Sequence, residues 1–352
     1  MKPLLATEWS EDLIADQSRS RQLPLITSAE ELLRTPSPKP PEVVQHLLHQ
    51  GSKMVLGGAS KTNKTWVLTD LAISVACGAQ WWGFETNQGR VLYVNFELAP
   101  PFFAERIKAV ASAKGLNPGT ELDVWNLRGH GADFDQLYPQ IVERAGQRYV
   151  LVILDPTYKV LGQRDENRAG DIASLLNRFE QLAVETEAAV AFGAHFSKGN
   201  QAAKDSIDRI GGSGVFARDP DTILTMTRHE VDGAFCVEPI LRNHPPTQPF
   251  VVRWQFPLMQ CDESLDPRKL KQPKKGQPAK YTVEDLVNTL RTSAKGGRAK
   301  GGPRIRAAEF QKFVTGETGM SRSTFYTLFG EAKRQGIFEQ KSDKWQLVQK
   351  VQ

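Results

Sequence analysis

Between Lys53 and His195 the chain repeats one unit, a short apolar run followed by a segment of helical period. The runs are KMVLGG from Lys53, RVLYVNFE from Arg90, LDVWNL from Leu122, YVLVILD from Tyr149 and AAVAFGAH from Ala188. Near-continuous apolar runs of this length suit strands buried on both faces, the condition of a parallel sheet covered by helices. The helices between them should begin at Lys64, Pro101, Asp133 and Arg168. The pattern therefore predicts an α/β fold, a mostly parallel twisted sheet with helices on both faces. After Asp221 the helical segments stop, and TILTMTRH, AFCVEPILR and PFVVRWQF predict consecutive antiparallel strands that extend the sheet.

At 352 residues the chain is long enough for two domains. Residues 1–40 read as an N-terminal arm and Pro-rich linker. SAEELLRT in that arm predicts a short helix capped by Ser28, with Glu31 three residues on, and PSPKPPE is a stiff extended segment. The sheet domain takes residues 41–260, and a polar, Pro- and Lys-rich linker takes 261–279. Residues 280–352 read as three helices (TVEDLVNTLRT, PRIRAAEFQKFV, SRSTFYTLFGEAKRQG) and a hairpin, IFEQKSDKWQLV. Thr282 and Ser321 are the expected N-caps and Gly336 the expected helix end, so this order predicts a winged-helix domain. Charge is divided along the same line. From Arg268 onward there are 19 Lys and Arg against 7 Asp and Glu, while the rest holds 26 against 33. A basic small domain on an acidic body points to nucleic acid.

With 40% hydrophobic and 24% charged residues the chain can bury a core, which excludes wholesale disorder. No apolar run approaches the length of a membrane span, and acids interrupt the N-terminal apolar residues in a way no signal peptide tolerates. Cys77, Cys236 and Cys261 are far apart and odd in number, so reduced, buried thiols of a cytoplasmic protein with no membrane partner are expected.

The turn after the first run, Gly58-Ala59-Ser60-Lys61-Thr62-Asn63-Lys64-Thr65, has the makings of a nucleotide phosphate loop. Such a loop needs inward backbone N–H groups, a lysine for the β- and γ-phosphates, and a hydroxyl for Mg²⁺ where the next helix starts. Counting back six positions from Lys64 reaches Gly58; from Lys61 it reaches Val55, inside the strand. Spacing therefore selects Lys64 for phosphate and Thr65 for Mg²⁺, with ATP and Mg²⁺ as the expected cofactors. Asn63 stands where the pattern has glycine, and asparagine is the side chain best able to hold a positive φ.

Three further residues end strands on the same side. Asp155 closes YVLVILD, where an acid beside a phosphate loop can help to hold Mg²⁺. Glu97 follows RVLYVNF, and it is either a base for the attacking water or a first-turn glutamate favoured by the helix dipole. His195 closes AAVAFGAH, where position alone favours a local hydrogen bond over a γ-phosphate contact.

GASKTNKTW, YVNFELAPPFFAERI, LVILDPTYKVLG, DENRAGDIASLLNRFEQLAVET and FGAHFSKGN, in that order, resemble the RecA-like ATPases of the plasmid RepA replicative-helicase type, relatives of DnaB. The resemblance spans about Pro40 to Pro257. It implies a RecA-like fold and a homo-oligomer, a hexamer or a filament, with ATP at subunit interfaces. It gives Glu97 the role of catalytic base, Asp155 that of Mg²⁺-associated acid, and His195 that of coupling the γ-phosphate to DNA. In LRNHP, Arg242 matches an arginine that reaches a neighbouring subunit's γ-phosphate, although Ile240 stands where the family has lysine. An exposed hairpin arginine is the other reading of Arg242. The glycine-rich stretch from Phe196 to Asp219, with Lys198, Lys204 and Arg209, matches the loops that touch single-stranded DNA, and basic loops contact phosphates without sequence preference.

In the C-terminal domain, SRSTFYTLFGEAKRQG would be the recognition helix. Arg322, Ser323, Thr324 and Tyr326 lie at its N-terminal end, where helix-turn-helix proteins meet base edges, while Leu328 and Phe329 belong to the core. The basic loop AKGGRAKGGPRIR suits duplex phosphates. A protein-binding winged helix is the other use of this domain. Taken together, these features lead to the expectation of an ATP-driven DNA helicase from a plasmid, phage or mobile element. The alternatives are a recombination ATPase that coats single strands, or a DNA-binding initiator switched by nucleotide without unwinding.

Overall fold

A computed structural model of the chain describes residues 25–130, 133–145, 148–197, 200–211, 214–272, 281–293 and 305–348. These fall into two compact units, residues 1–271 and 272–352.

The first unit is built on a nine-stranded sheet. A helix α1 (Ala29–Arg34), with the Ser28 hydroxyl accepting from the Glu31 N–H at 3.1 Å, precedes a small hairpin of β1 (Glu42–Val44) and β2 (Leu48–His49). Then follow β3 (Lys53–Gly58), α2 (Lys64–Cys77), β4 (Val91–Asn95), α3 (Pro100–Lys114), β5 (Leu122–Asn126), α4 (Phe134–Ala145), β6 (Leu151–Asp155), α5 (Ala169–Thr186) and β7 (Ala189–His195). Four strands without intervening α-helices complete it: β8 (Thr222–Arg228), β9 (Ala234–Leu241), β10 (Phe250–Gln255) and β11 (Leu258–Cys261). The sheet order is β11-β10-β9-β8-β3-β7-β6-β4-β5; the six strands from β8 to β5 run parallel and the other three antiparallel. This is the RecA-like arrangement.

Strand alternation divides the core between the two faces. Met54, Leu56, Tyr93, Ile153 and Ala191 face one way, onto Leu68, Leu71, Val75 and Phe103 of α2 and α3. Val55, Leu92, Val94, Val152 and Phe192 face the other way, onto Phe134, Ile141, Leu176 and Phe179 of α4 and α5. Because β3 is central and parallel to both neighbours, all phosphate-loop machinery must emerge at the strands' carboxyl edge, where ligands of open α/β sheets bind.

Two departures from the sequence reading stand out. The hairpin β1–β2 and strand β11 carry no long apolar run and went unpredicted. The segment expected as a linker from residue 261 is fixed to the sheet as far as Lys271: Leu270 bridges His229, and the N–H groups of Glu230 and Lys271 donate to Lys269 O and Arg228 O. Its charged composition hides backbone pairing that side chains do not reveal. Of the cysteines, Cys236 is buried as expected, but Cys261 is exposed at the end of β11. No helix among the described residues is long and apolar enough to cross a membrane.

The second unit contains α6 (Val283–Ser293), α7 (Ala307–Thr318), α8 (Arg322–Arg334) and a hairpin of β12 (Phe338–Lys341) and β13 (Lys344–Leu347), with Ile305 bridging Trp345. Thr282 and Asp285 cap α6 reciprocally, at 2.7 and 3.3 Å. Leu286, Leu290, Phe310, Phe325, Phe329 and Phe338 form its core. Leu328 is half-buried against that core, and Gly336 ends α8 at φ +69°.

Candidate nucleotide site

The loop from Gly58 to Thr65 crosses from the end of β3 to the first turn of α2 and forms one wall of a cleft of about 390 Å³. Its conformation depends on two residue types. A side chain at Gly58 would place a Cβ 2.7 Å from Thr62 Oγ1, so only glycine fits beside that buried hydroxyl, which itself donates to Ala59 O at 2.8 Å. Asn63, immediately before the helix, has φ +60° and ψ +25°, the left-handed conformation its side chain tolerates best. Asn63→Gly should therefore leave nucleotide affinity within about twofold, whereas Asn63→Val should cost about 1–2 kcal/mol in a denaturant melt, because β-branching opposes that conformation.

Lys64 is the lysine of the loop. Its Nζ donates to Gly58 O at 2.9 Å and Ala59 O at 3.1 Å and lies 3.3 Å from His195 Nδ1. Burial lowers its pKa to about 8, against the opposing pull of Asp155 and Glu97. Lys61, by contrast, is exposed and itself has a positive φ of 61°. Both Lys-Thr pairs line the cleft, but of the two lysines only Lys64 is drawn into the loop by hydrogen bonds to its carbonyls.

Asp155 is buried at the end of β6, and its Oδ2 accepts from the Tyr93 hydroxyl at 2.8 Å. Burial raises the Asp155 pKa, while hydrogen bonds from Tyr93 and Thr65 oppose that rise. Thr65 and Asp155 both line the cleft, two hard oxygen donors of the kind Mg²⁺ selects.

Glu97 is not in the first turn of a helix. It lies two residues before the Ala99 N-cap of α3, exposed, with its N–H donating to Asn95 Oδ1 at 3.3 Å. Buried Asn95 also takes the Leu98 N–H at 2.9 Å and donates to Leu98 O and Asn126 Oδ1, both at 2.8 Å. This asparagine holds the turn that aims Glu97 at the cleft. His195 completes the wall. It pairs in register with Gly58, and burial together with the charge on Lys64 lowers its pKa, so the ring is neutral near pH 7.

The cleft also contains Arg106, Trp66 and Tyr158, which sequence reasoning missed. Arg106 lies 4.3 Å above the Trp66 ring, and burial lowers its pKa. Its signal in the chain is the spacing from Glu97: one α3 turn and a half beyond the turn that Asn95 fixes. A second cavity of about 430 Å³ abuts the first and shares Tyr158, Gly193 and His195 with it.

Arg242 is elsewhere. Register places Thr222 opposite both Met54 and Leu241, so Arg242 sits at the amino edge of β3, at the other end of the strand from Gly58. It is half-exposed and donates to Arg218 O at 2.7 Å. Ile240, where the resembled family has lysine, packs against the core.

Of the three residues expected to meet single-stranded DNA, Lys198 lies outside the described residues, and Lys204 is half-buried with its Nζ donating to Ser197 Oγ at 2.6 Å. Arg209 must be corrected. It is 4% exposed, paired with Glu238, and donates to Thr227 Oγ1 at 3.1 Å and Gln201 O at 3.0 Å. A guanidinium so enclosed pins the loop to β8 and β9 rather than presenting itself at the surface. Arg209→Ala should destabilise the protein by about 2–4 kcal/mol by denaturant unfolding, because it strands a partly buried carboxylate. The same substitution should leave the single-stranded DNA affinity of the folded protein unchanged within about twofold.

In the second unit, Ser321 caps α8 by accepting from the Thr324 N–H at 3.2 Å, and Arg322, Ser323 and Tyr326 are exposed at its amino end while Thr324 is half-buried. Most of the basic loop before α7 lies outside the described residues.

A family model described as "AAA domain" matches residues 17–201. The match includes the loop, Glu97, Asp155 and His195; it stops short of Arg209, Arg242 and the second unit. No curated protein sequence matches the chain. Among solved structures, one titled "Crystal structure of the RadB recombinase" is 16% identical with a TM-score of 0.41, covering 64% of this chain and 92% of its own. Another, titled "ATPase Domain of G40P", is 14% identical with a TM-score of 0.44, covering 58% and 82%.

Proposed function

The chain belongs to the AAA domain family, and from that premise we propose that it is an ATP-driven DNA motor, an oligomeric helicase of the RepA type. The observation that carries this reading is the convergence of Lys64, Thr65, Glu97, Asp155 and His195 on one cleft, with Arg242, just after β9, at the opposite edge of the sheet. In such a site Lys64 exchanges its contacts with Gly58 O and Ala59 O for phosphate oxygens, regaining full charge as it does so. Thr65 and Asp155 would hold Mg²⁺, which supplies charge neutralisation at the phosphates. Glu97 accepts a hydrogen bond from the attacking water and orients it in line with the leaving group. His195 touches Lys64 on one side and begins the loop to Gly211 on the other, so it can report the state of the phosphates to a DNA-contacting loop.

The second unit is read as a winged helix for duplex DNA, with α8 as recognition helix and Arg322, Ser323, Thr324 and Tyr326 near the bases. Single strands would be gripped near Lys198 and Lys204. The test is strand displacement on a forked duplex with ATP, alongside ATPase measurements with and without single-stranded DNA. Unwinding coupled to DNA-stimulated hydrolysis is expected, in a hexamer or another closed homo-oligomer. Nucleotide-dependent filaments without unwinding would favour a recombination ATPase. DNA binding without turnover would favour a nucleotide-switched initiator.

A further inference from the structure

Away from the cleft, the amino edge of the sheet holds a cluster that the proposed reaction does not use. Glu42 and His49 are direct cross-strand partners of the β1–β2 hairpin, so their side chains project from one face. His244, from the turn after β9, stacks on His49 with ring centroids 4.3 Å apart and planes 10° from parallel. One oxygen of Glu42, Oε1, lies 3.8 Å from His49 Nε2 and 3.5 Å from His244 Nδ1. One ligand atom from each of the three residues lies within 4.8 Å of the others.

These separations select between two explanations. A hydrogen-bonded cluster would bring nitrogen and oxygen to about 2.7–3.2 Å, and neither contact is that short. Ligands around a tetrahedral cation with bonds of about 2.0–2.1 Å stand roughly 3.3–3.4 Å apart; the two carboxylate–imidazole separations, 3.5 and 3.8 Å, lie near this, and all three atoms lie within 4.8 Å of one another. Moreover, His244 has a side chain only 6% exposed, and its Nε2 is buried without a hydrogen-bond partner. The nitrogen that faces Glu42 is Nδ1; Nε2, across the ring, is a buried polar atom that the protein atoms around it leave unsatisfied.

We infer that Glu42, His49 and His244 form a binding site for one divalent first-row transition cation. Two imidazoles and a carboxylate suit Zn²⁺ and its neighbours, whereas Mg²⁺ prefers oxygen ligands. The Glu42 side chain is 28% exposed, which leaves a side open for water as fourth ligand. The cation ties hairpin β1–β2 to the turn two residues beyond Arg242, and it therefore stiffens the segment that carries that arginine. This consequence rests on the proposed role of Arg242; the binding site itself does not.

The test uses the full chain without a histidine tag, freed of metal by chelator dialysis and titrated with ZnCl₂ or MgCl₂ in a calorimeter. One equivalent of Zn²⁺ should bind with a Kd of about 1 μM or tighter and raise Tm, and Mg²⁺ should not compete at this site. Glu42→Gln, His49→Ala and His244→Ala should each weaken Zn²⁺ by about tenfold or more, while His46→Ala and His130→Ala leave it unchanged. Glu42→Gln is isosteric and decides the matter if a histidine variant fails to fold. Failure of the wild type to bind Zn²⁺, or equal binding by Glu42→Gln and His244→Ala, overturns the assignment. Because the readout is binding, it stands or falls independently of ATP turnover.

Discussion

Replacing Lys64 by methionine should reduce ATP turnover by about 10³-fold or more and at the same time raise the Tm of the nucleotide-free protein. The loss follows from position. Lys64 heads α2 at the mouth of the cleft, with Thr65 and Asp155 beside it, and the other loop lysine, Lys61, is exposed and cannot substitute. The gain follows from the cost of the charge. Burial lowers the Lys64 pKa to about 8 from 10.5, so the folded protein holds the ammonium less readily than the unfolded chain does. Between pH 8 and 10.5 the unfolded chain carries the extra proton, and the contribution of this group to stability rises with pH across that window. Below pH 8 the buried ammonium costs the free protein about 3 kcal/mol, part of which methionine recovers after losing the contacts to Gly58 O and Ala59 O. A net gain of about 1–2 kcal/mol is the expected outcome in a melt at pH 7. Loss of activity with loss of stability would mean instead that Lys64 is structural. Normal turnover in the variant would remove the phosphate role altogether.

The parts of this molecule that were legible beforehand share one physical property: they are dictated by local sequence. Five of the six parallel strands announced themselves by their apolar runs, β8 having been expected among the antiparallel ones, and α2, α3, α4 and α5 began within a residue of their expected starts. The phosphate loop was legible because a glycine, a lysine and a hydroxyl must stand at fixed spacing for steric reasons; the contact between a Gly58 Cβ and Thr62 Oγ1 is that reason made visible. The illegible parts depend on residues distant in the chain. Arg209 read as a surface cation until Glu238 and Thr227, 29 and 18 residues onward, enclosed it. Asn95 looked like an ordinary strand-end residue, and only the approach of Asn126 and Leu98 shows that it holds the Glu97 turn. Glu42, His49 and His244 gave no signal, because the third member joins the first two only after the sheet is complete.

Arg242 offers the sharpest test of assembly, since its own chain gives it nothing to do at the cleft. It stands at the amino edge of the sheet, and β3 from Met54 to Gly58 separates it from the loop by roughly 13 Å or more at 3.3 Å per residue. Nor is it a structural anchor: the side chain is about half exposed, and its contacts are Arg218 O and a 3.6 Å approach to Asp221. Its removal should therefore change stability by no more than about 0.5 kcal/mol. If it completes a neighbour's site, Arg242→Ala should nevertheless reduce turnover by about 10³-fold, the lower end of what a trans arginine contributes. Mixing then distinguishes a trans arginine from a disabled fold. Arg242→Ala subunits retain Lys64, and Lys64→Ala subunits retain Arg242, so each preparation is inactive alone. In an equimolar mixture that assembles at random, about one interface in four joins an intact loop to an intact arginine, and about a quarter of wild-type turnover should return. The mixture should regain nothing if Arg242 acts only within its own chain, because no subunit then holds both residues. Full activity of Arg242→Ala alone would remove the trans role, in keeping with Ile240 packed against the core where the resembled family has lysine.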